Sequence, residues 1–332
     1  MGGRDESRHY MDSKEWSFYL NVPDNFNLAP ELEGDLETIL EQTPELVRKR
    51  RGQGRIIFDR FIRNRAAIVG AVFLLLMVIM CFLGPFITGH SSPNDLHYNS
   101  ALQGPTWQFP FGTDNVGRDQ FARAMAGGRV SLLVGLTSML VSIVLGVSIG
   151  AFAGYYGGII DNILMRFTDV MLAIPTYLLL FVLSASFVNG STWGIVVLIA
   201  IFGWAISARI VRSEFLALKE REYVLAARTV GVKDFRMMFL HILPNAAGPI
   251  IVNATLLVGN NIILEAVLSF FGFGLRPPNA SWGNMISDGQ SFFDVAPWLV
   301  FIPGLLIFFT VLSLNLVGDG FRDALDPRMT ER

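Results

Sequence analysis

Arg221-Glu222-Tyr223-Val224-Leu225-Ala226-Ala227-Arg228-Thr229-Val230-Gly231, then the nine residues 232–240, then His241-Ile242-Leu243-Pro244-Asn245, form a charge-rich stretch between two long apolar blocks. Leu218, Leu225 and Ala226 fall on one face of a helix, with Lys219, Glu222 and Arg228 around it. Gly231 is placed to end that helix, because glycine turns the backbone left-handed without a steric penalty. Asp234 is placed to cap a second short helix over 235–241. Pro244 stands where the next segment begins. The expected unit is helix, glycine turn, helix, lying across a membrane surface.

Composition sets the surroundings of this stretch. Of 332 residues, 52% are hydrophobic and 16% charged, where soluble domains carry about 25% charge. The charges are segregated and leave long neutral runs, the pattern of a polytopic membrane protein. A net charge of −2 offers nothing to a polyanion, so no nucleic-acid partner is expected. The single cysteine, Cys81, sits in an apolar run and reads as packing; it allows no disulfide within the chain. No G-x-x-x-x-G-K-[S/T] loop is found, so ATP, if used, is bound and hydrolysed by another chain. No catalytic, cofactor or metal residues are expected in this one.

Uncharged runs cover 66–88, 130–160, 170–208, 242–264 and 295–318. A crossing takes about 20 residues, and the run 170–208 is broken by Asn189-Gly190-Ser191, so it reads as two helices. The expected fold class is an all-α membrane protein with six spans, near 66–88, 130–155, 163–188, 192–211, 246–268 and 297–317. With the amino terminus inside, the inner segments hold nineteen bases from Arg48 onward, against Arg118, Arg123 and Arg276 outside and Arg129 at a boundary. That asymmetry predicts cytoplasmic termini and a cytoplasmic 221–244 loop. The expected domains are a cytoplasmic extension 1–65, acidic then basic; a membrane domain 66–320 containing the loop 212–245; and a cytoplasmic tail 321–332. Nothing at the amino terminus resembles a cleaved signal. Residues 31–42 read as a surface helix or as part of a solvated tail.

Several smaller patterns lie on this frame. Asp114 and Asp119, among Gly112 and Gly117, read as turn and cap chemistry before the second span, with a metal or catalytic role as the alternative. Asp119 is placed to open a short helix toward Arg129. Gly146, Gly150 and Gly154 make a small-residue stripe for close helix approach, within the chain or against another subunit. Arg166 and Asp169 are spaced to pair on one helix, and Pro175 to kink it. Asn253, Asn260, Asn261 and Glu265 on the fifth span are candidate lining of a translocation pathway or gate. The asparagines read equally as interhelical hydrogen-bonding groups. Glu265 reads as the partner of a base at an outer gate, or as a wet interfacial carboxylate. Trp193, Trp282 and Trp298 map to the outer interface as an aromatic belt.

The order Ala226-Ala227, three residues, Gly231, nine residues, then x-x-Leu243-Pro244 resembles the loop signature of permease subunits of bacterial ATP-binding-cassette importers. That signature usually opens Glu-Ala-Ala, where this chain has Leu225, and usually carries Ile where it has His241. His241-Ile242-Leu243-Pro244-Asn245, Gly112-Thr113-Asp114-x-x-Gly117-Arg118-Asp119 and Glu265-Ala266-x-Leu268-Ser269-Phe270-x-Gly272-x-Gly274 resemble the oligopeptide, dipeptide and nickel branch. The resemblance covers about residues 55–327. It implies the MetI-like, binding-protein-dependent permease fold in a bacterial or archaeal cytoplasmic membrane. It implies that Glu222, Ala226, Ala227, Gly231, Leu243 and Pro244 belong to a loop that docks on a cytoplasmic ATPase. The implied partners are a homologous second permease, two ATPase subunits and an extracytoplasmic binding protein that delivers peptides. Nickel or an oligosaccharide is the alternative cargo. From other classes, an ion-coupled secondary transporter would show inverted repeats and paired intramembrane carboxylates, and a non-transporting scaffold would need none of the polar positions.

Overall fold

Apolar segments in hydrocarbon must satisfy their backbone groups internally, and a single segment does so only as a helix. The computed structural model describes residues 53–87, 92–188 and 190–325. Their helices are α1 (Gln53–Arg63), α2 (Arg65–Ile87), α3 (Gln120–Tyr156), α4 (Gly158–Ala173), α5 (Thr176–Leu183), α6 (Thr192–Leu218), α7 (Glu222–Thr229), α8 (Ala247–Phe270), α9 (Trp282–Gln290) and α10 (Trp298–Leu325). Helices α2, α3, α6, α8 and α10 are each long and apolar enough to cross a membrane. Helices α4 and α5, with the wide turn Ser184–Val188 that ends α5, form a sixth candidate bent by 79° at its break. The break falls at Ile174-Pro175, where proline has no N–H to continue the ladder. The expected third span, 163–188, is therefore a broken one that starts at Gly158.

The second span is longer than expected. Asp119 accepts from Phe121 N at 2.9 Å and opens no short separate helix; α3 runs on unbroken for 37 residues. That is about 55 Å of helix against about 30 Å of hydrocarbon, so α3 projects beyond the bilayer. The last helix likewise passes the expected boundary at 320 and reaches Leu325. The readings made for residues 1–52 and 326–332 lie outside the described residues.

The glycine stripe of α3 is a seam within the chain. A Cβ on Gly146 would stand 2.6 Å from Ser207 Cβ and 2.9 Å from Trp204 O, and one on Gly154 would stand 2.6 Å from Phe215 Cβ. Each neighbour belongs to α6. Small residues let the two helices touch along their backbones, so dispersion contacts hold them where water supplies no hydrophobic drive. Separate apolar clusters fill the bundle. One, beside the 221–244 loop, joins Tyr155, Val211, Phe215, Val224, Met238 and Ile242. Another, which includes α9, joins Met77, Cys81, Met125, Ile262 and Trp282. A further one joins Val134, Leu180, Ile195, Ile199 and Leu268. Cys81 is buried packing.

Candidate functional site

The 221–244 loop is held half in and half out of the bundle. Helix α7 ends as its composition dictates: Gly231 N donates to Arg228 O at 3.0 Å and Val232 N to Ala227 O at 3.2 Å, with Gly231 at φ +83°. The buried anchor of α7 is Val224, packed with Tyr155, Phe215 and Met238, and not the expected face of Leu225 and Ala226. One helical step is 100°, so turning Val224 inward carries both neighbours outward. Glu222, Ala226, Gly231 and Pro244 are exposed, and Ala227 and Leu243 half-buried.

Beyond Gly231 the expected regular helix is replaced by a short turn, Asp234–Arg236, which widens over Met237–Ile242. The widening turns Met237, Met238 and Ile242 together into the bundle. Asp234 does not cap this segment. Its carboxylate accepts from Tyr155 OH at 2.7 Å, and Arg228 lies 5.8 Å over the Tyr155 ring. The loop is thereby tied to the end of α3. Burial pushes the Tyr223 hydroxyl above the usual tyrosine range.

Two ion pairs brace the same end. Arg212 Nε and Nη2 donate to the two carboxylate oxygens of Asp161 at 2.5 and 2.6 Å. Arg209 Nη2 donates to Asp169 at 2.6 Å. Asp169 thus pairs across to α6 and not with Arg166 on its own helix, because Arg209 reaches it directly from the helix packed alongside. Both pairs clamp α4 to α6.

The polar residues of α8 separate into three environments. Asn253 Nδ2 donates to Ser207 Oγ on α6 at 2.7 Å. Asn261, buried, donates to Ser138 Oγ on α3 at 2.9 Å. Asn260 is exposed. The first two cross-link helices, and the third stands apart from them. Glu265 is fully buried, neither wet nor paired with a base among the described residues. Ser131 Oγ donates to its Oε2 and Ser269 Oγ to its Oε1, each at 2.7 Å. The segment after α8 folds back over it, with Gly283 pressed on the Ala266 backbone.

That fold-back also removes Trp282 from the expected aromatic belt. Its side chain is fully buried, and Nε1 donates to Ala124 O at 2.9 Å. Trp193 stays exposed and Trp298 half-buried. Asp114 accepts from Val116 N, Arg118 N and Arg118 Nε at 3.0, 2.9 and 2.6 Å, as turn chemistry requires. Among the described residues no cluster of His, Cys, Asp or Glu is placed to hold a metal ion. Arg123, buried on α3, meets Asp288 of α9 at 3.6 Å. Burial raises the Asp288 carboxyl above its ordinary value, outweighing the pull of Arg123 in the other direction.

A helical bundle with five or six membrane-length helices, and a loop seated at one end, defines a polytopic membrane protein. Residues 146–331 match the family described as binding-protein-dependent transport system inner membrane component. Residues 52–105 match the N-terminal transmembrane domain of oligopeptide transport permease C. The chain belongs to this family of binding-protein-dependent inner-membrane permeases. It is 41% identical to a dipeptide transport system permease protein of Alkalihalophilus pseudofirmus, over 83% of this chain and 90% of that one. It is 38% identical to an oligopeptide transport system permease protein of Bacillus subtilis, over 93% and 99%. It is also 38% identical to a glutathione transport system permease protein of Pectobacterium atrosepticum, over 83% and 91%.

Proposed function

We propose that this chain is one of two pore-forming subunits of an ATP-driven importer for short peptides. Both termini and the 221–244 loop face the cytoplasm, and α9 and the 92–119 segment face outward. Its partners are a homologous second permease, two cytoplasmic ATPases that bind the ATP, and a binding protein that delivers the peptide. The names of the relatives support peptides as cargo. The loop carries the mechanism. Its inner face is sealed into the bundle by Val224, Met237 and Met238, while Val230, Phe235 and Leu240 stand 85%, 67% and 64% exposed. Large apolar side chains on a charged, solvent-facing loop form a partner surface.

Force on that surface reaches the membrane helices by two routes, Tyr155–Asp234 into α3 and the Val224 cluster into α6. Glu222, Ala226, Ala227, Gly231, Leu243 and Pro244 form the docking segment. Asn253 and Asn261 hold α8 to its neighbours, and the exposed Asn260 is the α8 residue we assign to the pathway or to the second permease. Phe235→Glu tests the docking reading. It should release the ATPases from purified complexes and abolish ATP-dependent peptide uptake while the chain remains folded in the membrane. Normal uptake with the ATPases still bound would remove the loop from the mechanism.

A further inference from the structure

The outer helix α9 is joined to the membrane helices by a continuous run of buried hydrogen bonds, and Glu265 lies at its inner end. Ser131 of α3 donates to one carboxylate oxygen of Glu265 and Ser269 of α8 to the other, both at 2.7 Å. The same Ser269 hydroxyl accepts from Leu275 N at 3.2 Å. Leu275 O accepts from Asn284 Nδ2 of α9 at 3.4 Å, and Asn284 Oδ1 accepts from Ser281 N at 2.9 Å. Glu265, Ser131, Ser269, Ser281 and Asn284 are all buried. The Ser281 hydroxyl, which caps α9, faces the same carboxyl group.

Buried polar groups are costly unless every member is satisfied, and a satisfied network favours one arrangement of the elements it joins. Here the elements are an extramembranous helix and two membrane helices. The packing is equally close. Gly283 and Gly274 lie against the backbones of Ala266 and Ser269, with no room for a Cβ at either.

We propose that Glu265 is a positioning residue, a pin that fastens α9 to α3 and α8 so that movement of α9, when the binding protein docks, is passed into the membrane bundle. This rests on the importer reading above. An unpinned α9 would still rest on α3 and α8 through Trp282, Gly283 and the Arg123–Asp288 contact, but its movement would be passed into them less completely.

The test is the reconstituted complex in proteoliposomes, with ATP hydrolysis read before and after addition of binding protein loaded with a mixture of di- and tripeptides. Ser269→Ala should leave basal hydrolysis unchanged and cut the stimulated increment by about tenfold, the loss of one buried hydrogen bond. Glu265→Ala should lose the increment as well. Glu265→Gln, which keeps one accepting oxygen, should restore part of it. Full stimulation in both alanine variants would overturn the proposal, as would basal and stimulated rates that fall in parallel. If the wild-type complex shows no stimulation, the importer reading itself fails and the pin goes with it.

Discussion

Gly150→Ala is the smallest change that probes how α3 and α6 are held together. A Cβ at Gly150 would overlap the carbonyl oxygen of Ala208 and stand 2.8 Å from Val211 Cβ and 3.0 Å from Arg212 N. Comfortable contact between carbons is about 3.5–4.0 Å, so the helices have to part by roughly 1 Å. Two of the three obstacles are backbone atoms, which no rotamer change can move aside. The parting also opens the contacts at Gly146 and Gly154, and a gap of about 0.5–1 Å forfeits a quarter to a half of each contact well. Overpacking of this kind costs about 1–3 kcal/mol. Alanine returns about 1 kcal/mol of helix propensity. Because the overlap is with backbone, the cost falls in the upper part of that range, about 2–3 kcal/mol, and we expect a net loss of about 1–2 kcal/mol. Gly304→Ala in α10 is the control, because nothing lies within 4 Å of the added Cβ. It should be neutral or stabilise by up to about 1 kcal/mol. Denaturant titration of both purified variants in mixed micelles measures the difference. Equal stability of Gly150→Ala and wild type, or equal losses at both sites, would refute the seam.

Other expectations concern the loop and its supports. Gly231→Val has space around it but forces a branched residue to φ +83°; it should strain the loop by about 1–2 kcal/mol and lower ATP-dependent uptake more than protein abundance on a membrane blot. Tyr155→Phe removes the bond to Asp234, and amide exchange over 222–242 should quicken about fivefold, for a bond worth about 1 kcal/mol. Asp161→Asn breaks a two-point pair with a partly buried Arg212 and should destabilise more than Asp169→Asn, whose pair is half exposed and worth about 0–1 kcal/mol; paired denaturation curves rank them. For Asp288 the folded carboxyl titrates above its unfolded value. Its contribution to stability is therefore fully present below the unfolded value, about 4, and is lost as pH rises through the folded one. Asp288→Asn should flatten the stability–pH curve in that window, and an unchanged slope would remove the assignment.

Much of the fold can be read locally. The length of an apolar run determines whether it spans, and base asymmetry suggests which way. Gly231 and Asp119 announce a turn and a cap through geometry that involves only their neighbours. The order Ala226-Ala227, Gly231, Leu243-Pro244 marks the loop without reference to any tertiary contact. Which faces pack together is another matter. Helices α3 and α8 are apolar nearly all round, so periodicity does not distinguish the face against a neighbouring helix from the face against lipid. Only the tertiary structure turned Gly146, Gly150 and Gly154 toward α6, chose Val224 over Leu225 as the loop's anchor, and sent Trp282 inward. It also chose the polar partners. Asp169 meets Arg209 from 40 residues away, and Glu265 meets Ser131 from 134. Such pairings follow from the rotation and depth of whole helices in the bundle, quantities summed over many weak contacts and carried by no short stretch of chain.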